Sequence, residues 1–147
     1  MYEAGGSTEY MYEFDTNTLE ETNKIHVTKQ PEQIYHMASN GTDLFGVFYD
    51  KLRKWNFVDQ KWDNYILDLN GRNLHGLAID NDHVYIAGNG VINKYTIHPF
   101  KAVAAYDISM DRRYNFYGMT LTSKNQIVAS VINYDTKKYE IVTIELP

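Results

Sequence analysis

The chain has 147 residues, no cysteine and a formal net charge of −5, with 14 Lys and Arg residues against 19 Asp and Glu residues. The absence of cysteine excludes disulfides, thiolate metal ligands and cysteine nucleophiles. The mild acidity argues against nucleic-acid binding, because phosphate contacts need clustered Lys and Arg. The sequence contains neither a membrane-span pattern nor a signal peptide, and it predicts one soluble domain, cytoplasmic or virion-associated.

Alternating aromatic and β-branched residues predict short strands along most of the chain. The alternation is visible at 10–14, again at 84–87 and again at 141–144. Asn-Gly pairs at 40–41, 70–71 and 89–90 interrupt the apolar runs at points where hairpins would turn. Because these side chains suit a pleated, half-buried surface, the sequence predicts an all-β fold.

Two independent markers recur along the chain. The first is a five-residue segment at 34–38, 74–78 and 116–120, with offsets of 40 and 42 residues. Each copy is followed by a polar turn and an apolar strand. The second is an aromatic residue late in each unit, spaced by 43, 40 and 44 residues, at Tyr12, Trp55, Tyr95 and Tyr139. The markers agree on a period of about 42 residues.

Units of roughly 40–50 residues with four short strands are the sequence signature of β-propellers. The strand-turn pattern resembles kelch and NHL-type blades, although the double glycine of kelch blades occurs only at Gly5-Gly6. The resemblance implies four-stranded antiparallel blades, about 3.5 of them in this chain. We expect a partial blade at 1–30, blades at 31–71 and 72–112, and a partial blade at 113–147, in a single domain or part of one.

A chain of this length is short for a closed ring, because propellers typically have four to eight blades. An open stack of sheets would leave strand edges and an apolar face exposed. Either another chain or further copies complete the ring, or the sequence is part of a longer polypeptide, or four blades close with an unusual seam. We favour the first arrangement, with another chain or copies of this chain as the partner.

The first marker also predicts a ligand site. Tyr35, His75 and Tyr117 occupy equivalent positions in the three repeats. In a propeller the first strand of each blade lines the central channel, so these side chains would form an arc near one channel mouth. Aromatic faces with polar tips suit a sugar or a peptide. The alternative is that the three side chains fill the channel and hydrogen-bond one another.

The aromatic residues at and after the second marker fall into two groups, residues that pack between blades and residues of a candidate interface. Trp55 and Tyr12 are repeat-equivalent, which favours packing between blades. Trp62 falls at the start of an outermost strand, with Tyr65 close behind it. Outer strands are sheet edges, and exposed aromatic residues at an edge favour contact with another chain. We therefore predict Trp62 and Tyr65 as interface residues.

No nucleotide-binding loop, catalytic motif or metal-binding motif occurs in the sequence, and we predict no catalytic residue, metal or cofactor. Asp80-Asn81-Asp82 begins like a calcium loop but lacks the glycine and glutamate that complete one, which favours a simple turn. Glycosidases need two facing carboxylates. Four acidic residues are candidates, but nothing in the sequence pairs them: Glu20, Glu21, Asp107 and Asp111.

These observations favour a non-catalytic module that presents loops and a channel mouth to a protein or a cell-surface glycan. Propeller domains resemble modules of phage tails and bacterial surface assemblies, which would be one setting for such binding. Two alternatives stay open. One is a propeller-type glycan hydrolase or lyase with carboxylates on the channel, and the other is a purely structural subunit.

Overall fold

The computed structural model describes residues 2–4, 10–26, 34–48, 51–63, 67–68, 74–88, 90–108, 114–122 and 125–147. Within these ranges there is no helix, and all strand pairs are antiparallel, so the predicted all-β fold is confirmed. The fifteen strands are β1 Tyr2–Ala4, β2 Tyr10–Phe14, β3 Glu21–His26, β4 Ile34–Ser39, β5 Leu44–Phe48, β6 Lys51–Asn56, β7 Lys61–Trp62, β8 Leu67–Asp68, β9 Leu74–Ile79, β10 His83–Gly88, β11 Val91–Thr96, β12 Lys101–Asp107, β13 Tyr114–Leu121, β14 Gln126–Asn133 and β15 Lys138–Glu145.

The chain divides into two compact units, and residues 1–71 form the first. Its first sheet has the strand order β1-β2-β3. Its second sheet runs β4-β5-β6, and two short strands, β7 and β8, both pair with β6. The fourth-strand position of the second sheet is therefore divided between two short segments.

Residues 72–147 form the second unit, which also contains two sheets. One is a four-stranded meander, β9-β10-β11-β12, and the other is three-stranded, β13-β14-β15. Within each of these two sheets, sequential strands are neighbours, as expected when each pair is joined by a short hairpin.

Two of the three predicted Asn-Gly turns are confirmed. In the turn at 40–41, the Asn40 side-chain oxygen accepts hydrogen bonds from the amides of Thr42 and Asp43 at 3.0 and 2.8 Å. Gly41 has a φ of 93° and Gly90 a φ of 76°, a left-handed conformation that glycine adopts without steric cost. The third pair, at 70–71, lies outside the described residues.

The four aromatic markers show which strands are equivalent. They lie on β2, β6, β11 and β15, which are the third strands of their repeats. The first sheet therefore carries the second, third and fourth strands of a repeat, and the last sheet carries the first, second and third. The number of blades in the closed propeller stays a prediction.

Each unit has its own apolar core. In the first unit the two sheets share a cluster of five buried side chains: Met11, Leu44, Phe48, Trp55 and Trp62. In the second unit the cluster joins both sheets and contains Ala78, Tyr85, Ala87, Ile92, Ile108, Phe116, Ile127, Ala129 and Val131. Burying one large apolar side chain contributes about 1.5–3 kcal/mol, so these clusters hold the paired sheets together.

The sheets differ in how many of their faces are covered. β5 is buried at every position, and β10 is buried from its second residue onward, so both faces of these strands are covered. In β14, by contrast, buried residues alternate with half-buried ones. In β15, Val142 and Ile144 pack towards the core, whereas Tyr139 and Ile141 are 71% and 73% exposed. One face of the last sheet, here called the outer face, is therefore open.

Candidate functional site

The predicted ligand residues share a backbone feature that the sequence did not reveal. In β4, Ile34 pairs with Phe48 and His36 with Val47, which leaves Tyr35 as the extra residue of a β-bulge. His75 is skipped in the same way in β9, and Tyr117 in β13. A bulge bends the strand and redirects the side chain it carries. The first strand of each repeat thus sets one residue outside the regular ladder, and it is the residue that the repeat alignment selected.

Exposure supports a surface role for the two tyrosines. Tyr35 and Tyr117 are each 51% exposed. The backbone of His75 lies on β9, but its side chain is outside what the structure describes. Tyr35 belongs to the first unit, and the other two residues belong to the second. The convergence of all three on one channel mouth therefore stays a prediction.

Within the second unit, the strands that carry His75 and Tyr117 pack closely. A Cβ added at Gly76, directly after the β9 bulge, would lie 2.9 Å from Cγ of Met119 on β13. Only glycine allows this approach without movement of the methionine. The structure therefore brings the bulges of β9 and β13 onto neighbouring strands.

Tyr117 also extends the open outer face of the last sheet. Its ring makes an edge-to-face contact with Tyr139, with ring centroids 5.7 Å apart. Aromatic pairs of this geometry stabilise one another and offer polar hydroxyls beside apolar faces. The two tyrosines and the exposed Ile141 therefore form an apolar surface with hydroxyl groups at its margin.

The structure corrects the surface position expected for Trp62. Trp62 lies on the short outer strand β7, as predicted, but it is only 4% exposed. Its ring packs edge-to-face against Phe48 and Trp55, at centroid distances of 4.9 and 5.3 Å. It lacks the exposed surface on which the predicted interface role depended. Tyr65, the other residue of that prediction, lies outside the described residues.

A close approach to glycine explains why Trp62 is buried. A Cβ at Gly46 would lie 2.8 Å from Cη2 of Trp62, a distance that real side chains do not show. The absent side chain of Gly46 therefore leaves the space that the indole fills. Trp55 is buried in the same cluster, in agreement with the packing role expected for it.

Sequence reasoning missed a hydrogen-bonded group at the β9–β10 turn. Asp80 accepts hydrogen bonds from the amides of Asp82 and His83 at 2.8 and 2.6 Å, and from the Tyr85 hydroxyl at 2.9 Å. Nδ1 of His83 lies 3.2 Å from the same carboxylate. The predicted turn is thus present, and its carboxylate also holds a tyrosine whose ring belongs to the core. No sequence signal marks such a bond across a hairpin.

The pKa values of this group follow from its contacts. Burial alone would raise the pKa of Asp80, but the hydrogen bonds from the Asp82 amide, the Tyr85 hydroxyl and the His83 amide outweigh it and lower the pKa. Burial, with the bond to Asp80, raises the pKa of the Tyr85 hydroxyl far above its usual range. Tyr85 therefore stays protonated as a donor, and this arrangement supports structure rather than proton transfer.

The described residues give little support to a carboxylate-based active site or to a metal site. Glu20 and Glu21 are exposed at the β2–β3 hairpin, and Asp107 ends β12. Asp111 is outside the described part of the chain. Within that part, no three His, Asp or Glu side chains cluster in a way that would hold a metal ion. The same residues include no helix that is long and apolar enough to cross a membrane.

Comparison with known proteins defines the fold but not a family. No family model matches the sequence, and no curated protein matches it. Among solved structures, the chain is similar to Myxococcus xanthus glutaminyl cyclase, with 14% identity, a TM-score of 0.58, and coverage of 90% of this chain and 60% of that one. It is also similar to Kuenenia stuttgartiensis hydrazine synthase, with 16% identity, a TM-score of 0.60, and coverage of 98% and 46%.

Both neighbours are β-propeller-like folds, and this chain has a β-propeller-like fold as well. At such low identity the similarity is one of fold alone, because a propeller supports unrelated functions. The chain spans less than two thirds of the length of either neighbour.

Proposed function

We propose that the chain is a non-catalytic binding module of the propeller type, with kelch- or NHL-like blades, that recognises a protein or a cell-surface glycan through its bulge residues. The observation that carries the proposal is the coincidence of Tyr35, His75 and Tyr117 with the bulges of three equivalent strands. Bulges are common beside binding and active sites because they redirect side chains. Half-exposed tyrosines offer a ring face for stacking and a hydroxyl for hydrogen bonding.

Ligand binding by the double variant Tyr35→Ala/Tyr117→Ala tests this function. The wild-type chain is screened against a panel of glycans and extended peptides, and the strongest ligand is titrated by calorimetry. We expect the double variant to bind at least about tenfold more weakly, since each stacking ring contributes about 1 kcal/mol. Tyr134→Ala is the matched control, because Tyr134 is 45% exposed but lies in the β14–β15 turn and not at a bulge.

Three results would contradict the proposal: no binding to any member of the panel, unchanged binding by the folded double variant, or an equal loss in the Tyr134→Ala control. Release of product from a bound glycan would instead support the hydrolase or lyase alternative, in which carboxylates act on the ligand.

A second role, assembly, is favoured by the open outer face of the last sheet. β5 and β10 have both faces covered, whereas the outer face leaves Tyr139 and Ile141 largely exposed. Exposed apolar surface of this kind marks contact sites. We therefore propose that another chain, or further copies of this chain, covers the outer face of the last sheet. Light scattering that shows only a 17.1 kDa monomer at all concentrations would contradict assembly between copies.

A further inference from the structure

β12 is the outermost strand of the repeat whose four strands form a single described meander. It pairs with β11 on its inner side, and among the described residues no strand lies along its outer edge. The chain continues from β12 into β13 of the next sheet, so this edge is an internal feature of the chain. An open edge presents backbone N–H and C=O groups to which another strand can bond.

β12 lacks the features that protect the outer strands of the two preceding repeats. β3 carries the exposed charges of Glu21 and Lys24, and the outer position of the next repeat is divided between β7 and β8, each of two residues. β12 has seven residues, and its centre, 102–106, carries no charge. Ala102 and Ala105 are exposed, and their small side chains leave room for another backbone. Because charges and short strands block edge pairing, β12 is the most receptive of these outer strands.

The hydrogen bonds between β11 and β12 show which backbone groups face outward. The amide of Ile108, directly after β12, donates to the carbonyl of Gly90 at 2.9 Å. Residues of an antiparallel pair alternate between bonding to the neighbouring strand and pointing away from it. Ala104 therefore bonds to β11 as Ile108 does, whereas the N–H and C=O of Ala105 point away from β11.

A bulge divides the edge into two parts. Val103 has no paired residue in β11 and is 53% exposed. The ladder is regular at 104–107, and the short part before the bulge contains Lys101. Lys101 is exposed, and it makes no ion pair in the part of the chain that the structure describes. A carboxylate brought to this end of the edge would therefore meet an available ammonium group.

We propose that the outer edge of β12 binds an extended peptide segment of a partner protein. The segment runs antiparallel, with uncharged residues opposite 104–106 and an acidic residue at its C-terminal end near Lys101. A second copy of β12 fits less well, since each copy would bring its own bulge at Val103 and interrupt the ladder twice, whereas a peptide meets one bulge. This surface is separate from the bulge residues of the proposed function.

Fluorescence anisotropy with a synthetic peptide tests the proposal on the full chain. The probe is a labelled octapeptide of alternating threonine and valine that ends in glutamate, because β-branched residues favour an extended strand. We expect saturable binding with a Kd below about 1 mM. Lys101→Glu should weaken this binding about two- to fivefold, and a probe that ends in lysine instead of glutamate should reverse the preference.

A proline at position 105 tests whether the backbone makes the contact. Ala105→Pro removes the outward N–H and places a ring methylene there, so it should weaken binding at least about tenfold. The ladder to β11 does not use this N–H, and proline is tolerated where a strand edge faces solvent. Ala105→Ser is the matched variant, because it keeps the N–H and should keep the binding. Circular dichroism checks the fold of both variants.

Hydrogen exchange measured by NMR gives a second readout that needs no substitution. Bound peptide should slow exchange of the Ala105 amide, which points outward in the free chain. The Ala104 amide is the internal reference, since the ladder to β11 protects it with or without peptide. Equal exchange at Ala105 in the free and bound chain would overturn the proposed pairing even if Ala105→Pro fails to fold.

Three other results would overturn the proposal: no saturable binding up to about 1 mM peptide, equal binding by folded Ala105→Pro and Ala105→Ser, or self-association that Ala105→Pro abolishes without any peptide binding. The last result would identify a second copy as the occupant. A peptide whose binding is lost in Tyr35→Ala/Tyr117→Ala but kept in Ala105→Pro would support the bulge site and overturn the edge site, so the two proposals fail separately.

Discussion

Gly46→Ala should destabilise the first unit because it fills the space that Trp62 occupies. The new Cβ would lie 2.8 and 3.0 Å from two atoms of the indole and 3.0 Å from Cε2 of Phe48. Normal contacts begin near 3.4 Å, so the ring has to move by about half an ångström or more. The ring is held between Phe48 and Trp55, and none of these aromatic side chains can shorten to relieve the overlap.

The size of the effect follows from two opposing contributions. Overpacking a well-filled core costs about 1–3 kcal/mol. Replacing glycine by alanine restricts the unfolded chain and returns about 0.4–1 kcal/mol. We therefore expect the free energy of unfolding to fall by about 1–2 kcal/mol, which lowers the urea midpoint by about 0.5–1 M for a typical m-value.

Urea unfolding followed by tryptophan fluorescence is the direct assay, because both tryptophans of the chain lie in this cluster. Gly118→Ala is the matched control, since its new Cβ would meet only Oγ of Ser130, at an ordinary 3.7 Å. The control should raise the free energy of unfolding by about 0.4–1 kcal/mol, because only the effect on the unfolded chain remains. Its unfolding is followed by circular dichroism, since Gly118 lies in the second unit. Equal stability of the Gly46→Ala variant and the control would refute the reasoning that space at Gly46 allows Trp62 to be buried.

Two further predictions concern the Asp80 turn. Asp80→Asn should keep the turn, because Asn40 forms the same amide contacts in the equivalent turn of the preceding repeat. Since the pKa of Asp80 is lowered by folding, its ionised form stabilises the native state above about pH 4, and this stabilisation is lost as the pH falls through the folded-state value. The stability difference between wild type and Asp80→Asn, measured by urea unfolding, should therefore shrink in acid; a difference independent of pH between 2 and 7 would contradict this account. Tyr85→Phe should lower the free energy of unfolding at neutral pH by about 1–2 kcal/mol, because the Asp80 carboxylate loses its hydroxyl donor. Thermal denaturation would show no loss if that hydrogen bond contributes nothing.

The repeat pattern was predictable because it is local. Period-two alternation and Asn-Gly pairs are read from a few adjacent residues, and the structure places strands and turns where those signals occur. The aromatic marker likewise identified third strands correctly at Trp55 and Tyr95, since each repeat encodes its own copy of the pattern.

The burial of Trp62 could not be predicted in the same way. An outer strand is normally an exposed edge, and a single sequence does not show that Gly46, on β5, leaves room for an indole. Two residues that are 16 positions apart in the sequence have to be complementary in shape. A glycine inside an apolar strand was the available signal, since such a glycine often marks close approach of another group.

The equivalence of the three candidate residues could be predicted from the sequence, but the bulges that carry them could not. Repeat alignment selected Tyr35, His75 and Tyr117 as equivalent residues, whereas the bulges that set them apart depend on strand register, which is a property of paired strands. The Asp80–Tyr85 bond was missed for a related reason, because it requires the turn and the following strand to be placed together.

The bulges have a consequence for how this chain can change during evolution. A residue inside a regular ladder is constrained by its cross-strand partner, whereas positions 35, 75 and 117 have no directly paired residue. Under the proposed binding function, substitutions at these three positions would alter what is recognised while the flanking pairs keep every strand in register. Tyrosine in two repeats and histidine in the third are then variants at equivalent positions, which can change without rebuilding the strands around them.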